Sequence, residues 1–324
     1  MLLLLGVALA DSLLQSVSAG PATKSSYLSK QQPLVRYVDA VSCGAFNCLR
    51  TNAAYKIGAG IQIPCNATRI FKKWDILEAV QSHSLRPSGI VLKSYRDGTV
   101  LSTQTLVPYA EDRYGAPYLL AHRADLVKVL ADEAFRLGVV FRFGSVVTEL
   151  NAVKPSILLR NGEEHRADVV LGADGLNSTC RIALLGQAHA PSSTGDMAYR
   201  FTVKIDDIMR QEDLCELLDG YPVICWMGPD AHAVCYQLKQ DGLCNVVLLC
   251  PDNITEIATV SNADVEEIKE RFSNWDPKLR KLIELATGAL KWKLQIMGPL
   301  DTWSHSSGRF VLIGDACHST LPYL

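Results

Sequence analysis

Arg309-Phe310-Val311-Leu312-Ile313-Gly314-Asp315-Ala316-Cys317-His318-Ser319-Thr320-Leu321-Pro322 is the stretch on which the reading of the fold turns. The apolar run from Phe310 to Ile313 is too short for a helix and has no polar alternation. That is the pattern of a strand buried on both faces in a parallel sheet. It runs straight into Gly314-Asp315. Earlier in the chain, Val169-Val170-Leu171-Gly172-Ala173 repeats the arrangement and ends in Asp174-Gly175. At the carboxyl edge of a parallel sheet, such residues face the crevice where nucleotides bind. Glycine there lets a phosphate or sugar chain approach the backbone, and the carboxylate accepts hydrogen bonds from hydroxyls. Either segment taken alone is a weak signal, since Asp-Gly after a strand is usually just a turn.

Working outward, residues 57–63 read as a Gly-rich extended segment. Asn66 then reads as the N-cap of a helix with Ile70, Phe71, Trp74, Leu77 and Val80 on one stripe. Asp97-Gly98 between two β-rich runs predicts a hairpin. Residues 126–137 form an amphipathic pattern stopped by Gly138, and 139–143 read as a strand. From about 186 to 299 the texture changes to alternating strands at 198–203, 223–226, 234–238 and 245–249. A helix is expected from 264 to 286. This is the signature of a mainly antiparallel module inserted into the first one.

Composition narrows the classes. The 324 residues are 48% hydrophobic and 20% charged with a net charge of −2, so nothing electrostatic favours nucleic acid or an anionic membrane. No run of about 18 apolar residues is present, which argues against a spanning helix. The 10 cysteines include no CxxC pair and no Cys/His cluster with metal spacing, so no metal site is expected. Residues 1–10 are apolar, and Val17-Ser18-Ala19 resembles a signal-peptidase site, but no cation precedes the run and Asp11 interrupts it. Sequons stand at Asn66, Asn177 and Asn253, the first two inside segments expected to touch a ligand. An intracellular location is the expectation, with secretion as the lesser alternative.

In context the two acidic segments are far more specific. Asp174-Gly175-Leu176-Asn177-Ser178-Thr179-Cys180-Arg181 resembles the DGxxSxxR segment of the FAD-dependent aromatic-ring hydroxylases, and the 309–322 stretch resembles that family's second flavin segment. Gly58-Ala59-Gly60-Ile61-Gln62-Ile63-Pro64 is similar to its loop over the isoalloxazine ring, and His122-Arg123-Ala124-Asp125-Leu126 to a helix start whose arginine reaches the flavin. The resemblance is to the salicylate hydroxylase-like branch, including fungal phenol hydroxylases, and covers about residues 56–324.

The resemblance implies an α/β fold: a Rossmann-like FAD-binding sheet, incomplete here, with an inserted, mainly antiparallel β substrate domain. The FAD-binding domain would comprise 56–185 and 300–324, the substrate domain 186–299, and residues 1–55 an atypical segment. Asp315 would bind the ribityl chain, Arg123 the flavin side, and Pro322 would abut the ring. Gly58, Ala59 and Gly60 would supply backbone near it, while Asp174 and Arg181 would serve a groove shared by FAD and NAD(P)H. The reaction implied is hydroxylation of a small phenol by molecular oxygen, with NAD(P)H as reductant, in secondary metabolism or aromatic catabolism. Arg200, in Ala198-Tyr199-Arg200-Phe201, matches an arginine that stabilises substrate phenolate, and Tyr236 is its candidate partner. His318 is given no catalytic role, and Trp226 and Trp292 are read as core.

The sequence also departs from the family. A GxGxxG turn near the start is expected, yet residues 1–55 contain only Gly6, Gly20 and Gly44. The family continues past the position of Leu324 with a turn and a helix facing the phosphates. The chain as given is therefore expected to bind FAD poorly. Two alternatives stay open: a non-catalytic remnant that has lost FAD, and a flavoenzyme performing oxidative decarboxylation or dearomatisation.

Overall fold

The structure is a computed structural model that describes residues 60–321 apart from 188, 240–241 and 255–258. Gly58, Ala59, Pro322 and the segment 1–55 lie outside the described residues. Two units emerge, one of 60–129 with Gly195–Leu294, the other of 130–194 with 295–321. Among the described residues no helix is long and apolar enough to cross a membrane.

The larger unit is organised by a mixed sheet of eight strands. In spatial order they are Val260–Ala263, Ala289–Ile296, Ser192–Lys204, Leu243–Pro251, Ala231–Leu238, Val223–Gly228, Gly89–Ser94 and Val100–Thr105. The central pairs are antiparallel, whereas Val223–Gly228 runs parallel to Gly89–Ser94. Alternation decides the two faces. Met197, Tyr199, Phe201 and Val203 share one core cluster with Trp226, Val246 and Leu248, covered by Ile268 of the helix Val265–Arg271, its C-cap Phe272, and Leu279 and Leu282 of the helix Pro277–Glu284. On the opposite face, Val223, Val234, Tyr236 and Leu238 pack with Leu120. Leu120 belongs to a second, antiparallel sheet of Gly60–Ile63, Leu119–His122 and Ser84–Leu85. The expected division grouped 56–185 together. Instead 60–129 sides with the large sheet, because the Gly89–Thr105 hairpin is hydrogen-bonded into it and Leu120 is packed on it.

Local chemistry explains where elements differ from expectation. The hairpin turns at Gly98, whose φ is 71°, with Thr99 N–H donating to Asp97 Oδ1. The first helix spans Cys65–Lys73 and is capped by Pro64, while Asn66 Oδ1 accepts from Ala67 N–H. Asp75, in left-handed backbone at φ 59°, ends the run, and Leu77–Ser82 is a separate helix. The predicted 264–286 helix is likewise two. Asp276 is extended ahead of Pro277, which lacks the N–H and the room to continue a helix from before it. Residues 139–143 are irregular, not a strand.

The smaller unit holds the parallel pair Val170–Gly172 and Phe310–Leu312, with Phe310, Leu312, Ala316 and Cys317 forming its core against Val170, Cys180 and Leu184. A three-stranded meander, Val147–Asn151, Ser156–Leu159 and Glu164–Arg166, lies in the same unit.

Candidate functional site

In the larger unit, strand register gathers residues that the sequence places far apart. Arg200 pairs with Val247, and Asn245 pairs with Tyr236. Because side chains alternate, Arg200, Asn245 and Tyr236 project from one face, opposite to Tyr199 and Phe201. Gly60 meets them there from the second sheet. Its backbone N–H donates to Asn245 Oδ1 at 3.0 Å. A Cβ on Gly60 would lie 2.6 Å from Tyr236 Cε2 and 2.7 Å from its hydroxyl oxygen, so only glycine allows this approach.

Burial pushes the Tyr236 hydroxyl pKa well up, opposed by the guanidinium charges of Arg200 and then Arg123. Both sequence-predicted cations therefore act on the same phenol. The Arg200 guanidinium lies 5.1 Å from the centre of the Trp292 ring, a cation–π arrangement that limits its rotamers. Tyr118 adds a second buried phenol, which donates to Gln62 Oε1 at 2.6 Å and is pushed up to about 12, chiefly by burial. His122 Nδ1 accepts from Ala124 N–H at 3.2 Å and so fixes the start of the helix Arg123–Arg136.

Three buried nitrogens of the larger unit have no hydrogen-bond partner among the described residues: Arg123 Nε, Asn245 Nδ2 and Trp292 Nε1. An unpaired buried donor costs about 1–3 kcal/mol. The arrangement therefore fits a bound group rich in acceptors, as a flavin ring or an oxygen-bearing aromatic is.

In the smaller unit, Asp174 and Arg181 have structural tasks. Asp174 accepts from Ser178 Oγ, from Thr179 N–H at 2.7 Å and hydroxyl at 3.1 Å, and from Cys180 N–H at 3.0 Å. Those bonds occupy roughly the four acceptor positions of a carboxylate and cap the helix Thr179–Leu185. Arg181, 1% exposed, donates from Nη1 to Ala316 O at 2.9 Å, from Nη2 to Leu176 O at 2.7 Å, and from Nε and Nη2 to His189 O. Its pKa is lowered by burial. Asp174 and Cys317 act in the other direction. Within this unit the pair thus ties the two acidic strand ends together. Asp315 differs: it opens the helix Asp315–His318 directly after Gly314, whose φ of 61° and ψ of −143° suit glycine. His318 lies 5.1 Å from Trp303, ring to ring.

Asn245 and Trp292 are the residues that sequence reasoning missed. Alternation alone could not find Asn245, because the shared face with Tyr236 follows from a pairing register that no local pattern encodes.

Residues 63–324 match the family described as FAD binding domain. The chain is 36% identical over 276 residues to FAD-dependent monooxygenase OpS4 of Beauveria bassiana, covering 83% of this chain and 64% of that protein. It thus spans a little under two thirds of that relative's length. Among solved structures, a salicylate hydroxylase substrate complex superposes with a TM-score of 0.69 at 25% identity, over 82% of this chain and 67% of that one. CtdE in complex with FAD and its substrate 4 gives a TM-score of 0.72 at 21% identity, over 86% and 72%, which speaks to the fold. With most of its length matched to the family model, the chain belongs to the family described as FAD binding domain.

Proposed function

We propose that the protein is an FAD- and NAD(P)H-dependent monooxygenase that hydroxylates a small phenol with molecular oxygen. The observation that carries this reading is the convergence of Arg200 and Arg123 on buried Tyr236, beside Gly60. The similarity to FAD-dependent monooxygenase OpS4 and to a salicylate hydroxylase supports it. Bound FAD supplies reduction by NAD(P)H and activation of oxygen. The chain's own residues bind and orient the substrate. Arg200 stabilises the phenolate form, which raises electron density on the ring where an electrophilic oxygen attacks. Tyr236 keeps its proton and can donate to the phenolate oxygen. Trp292 holds the guanidinium plane, and the covering sheet excludes water from the Tyr236 side.

Asp315 and Arg123 are proposed to contact the cofactor, with Gly58, Ala59 and Gly60 near its ring and Pro322 against it. A protein retained inside the cell fits the eight described cysteines, all carrying free thiols. The test uses the full-length gene product. Purified with FAD and given NADPH or NADH, it should incorporate one atom of labelled oxygen into a phenol. Arg200→Ala should retain FAD and slow hydroxylation by roughly a hundredfold. Unchanged turnover in that variant, or no incorporation by the parent, would refute the reading.

A further inference from the structure

Within the smaller unit, a cavity of about 430 Å³ opens between the three-stranded meander and Arg309. Its charged lining is Lys154, Arg166, Arg309 and Glu164. The walls are fixed by hydrogen bonds from three segments. Asn151 Oδ1 accepts from Val153 N–H at 3.1 Å and from Lys154 N–H at 2.9 Å, which sets the turn between Val147–Asn151 and Ser156–Leu159. Ser307 Oγ donates to Ala152 O at 2.7 Å and ties the loop before Arg309 to that turn. Ala167 N–H donates to Pro155 O at 3.0 Å, and Val170 N–H to Arg309 O at 2.9 Å.

Charge says what the cavity would hold. Arg166 Nη2 meets Glu164 Oε2 at 3.1 Å, and that bond is the chief cause holding the Glu164 carboxyl below its ordinary range. This pair compensates itself. Lys154 and Arg309 have no carboxylate partner among the described residues, so the lining carries two uncompensated positive charges. Two like charges facing one space repel, and an anion shared between them relieves the repulsion. The volume lies in the range of small-molecule sites, and Val153, Pro155 and Ala167 give it an apolar side. Its place in the fold separates it from a nucleotide crevice. Arg309 stands at the amino end of Phe310–Leu312, whereas Gly314-Asp315 follow the carboxyl end, about 15 Å further along the strand direction. Nucleotides bind at carboxyl edges.

We propose that this cavity binds a small organic dianion, a phosphate monoester or a dicarboxylate, gripped between Lys154 and Arg309. The guanidinium offers a planar fork that can engage two oxygens, and the ammonium offers a point charge. Occupancy links the meander turn to the residue that leads into the strand Phe310–Leu312, and so stabilises this unit. The site does not depend on the hydroxylase reading.

The test is calorimetric titration of the full-length protein as purified, at constant ionic strength. The probes are glycerol 3-phosphate and succinate, with glycerol as the uncharged control. At least one dianion should bind saturably with a Kd below about 1 mM and raise the melting temperature with concentration, while glycerol does neither. The tighter probe identifies which source of the dianion the site prefers. Lys154 is exposed, and its side chain makes no bond among the described residues, so the fold tolerates its replacement. Lys154→Glu should weaken binding tenfold or more, and Lys154→Arg should stay within about threefold of the parent. No saturable binding of either dianion up to about 10 mM, or equal affinity in the parent and Lys154→Glu, would overturn the site and leave the proposed function standing.

Discussion

Replacing Arg181 by lysine tests how the parallel strand pair is held. The guanidinium reaches three backbone carbonyls through three nitrogens: Leu176, His189 and Ala316. A lysine ammonium is one compact charge and can serve one of those acceptors in the same space. Two carbonyls are then left buried, at about 1–3 kcal/mol each, and the ammonium is more strongly hydrated and costlier to bury. Taking the lower half of that range gives a loss of about 2–4 kcal/mol, a large part of the roughly 5–15 kcal/mol typical of a folded domain. In urea, at a slope near 3 kcal/mol per molar, the midpoint should fall by about 1 M. Fluorescence and far-UV circular dichroism are recorded together, because two units need not unfold as one. FAD affinity, titrated where both proteins are folded, should change less than about threefold, since the donors are engaged with backbone. A midpoint within about 0.2 M of the parent would refute the structural role. A thirtyfold loss of FAD affinity at unchanged stability would show that the guanidinium touches the cofactor after all.

Gly60→Ala should lower stability by about 1–3 kcal/mol, because its Cβ would press on the buried Tyr236 ring. That penalty should shrink in a Tyr236→Ala background, and an undiminished penalty in the double mutant would disprove the contact. Asp276→Ala should cost about 2–4 kcal/mol, since Asp276 Oδ2 accepts the buried Trp226 indole N–H at 2.6 Å and Oδ1 caps Lys278 N–H; thermal melting checks it. At Glu267, burial opposes ionisation, but hydrogen bonds from Asn253, Lys291 and Tyr199 together outweigh it and pull the carboxyl to about 2. Its folded pKa lies below the unfolded value of about 4.3, so its contribution is present above that pH and is lost as pH falls toward 2. Glu267→Gln should therefore flatten the acid limb of the stability profile, and a parallel profile would argue against the network. Expression in a eukaryotic host should give no glycosidase-sensitive shift, although Asn66, Asn177 and Asn253 are all exposed enough to be modified.

Much of this was legible from local pattern. The strands Val170–Gly172 and Phe310–Leu312, the Gly98 turn, and the strands bearing Arg200 and Tyr236 all follow from short apolar runs and glycine punctuation. The helix breaks were harder to see. Nothing about Asp75 announces a left-handed residue, and the apolar stripe continues smoothly past it. Pro277 did announce the second break, but the amphipathic period on either side masked it. The parallel docking of Gly89–Ser94 on Val223–Gly228 was not legible, because pairing between distant segments depends on the whole core. The motif around Asp174 and Arg181 gave residue types correctly, yet a motif does not say whether a donor faces a ligand or a carbonyl.

That parallel docking has a consequence for how the polypeptide is made. The hairpin Gly89–Thr105 leaves the ribosome early, while the strand it adds to, Val223–Gly228, follows only about 130 residues later. At about 5–20 residues per second the wait is roughly 6–26 s. Throughout it, the ladder groups of Gly89–Ser94 on the side away from Val100–Thr105 have no strand to meet, with Ile90, Val91 and Leu92 beside them. An unclaimed edge of that kind invites pairing with a neighbouring nascent chain. Slower synthesis of the intervening stretch should thus lower the yield of native protein, and chaperones that shield extended apolar segments should restore it.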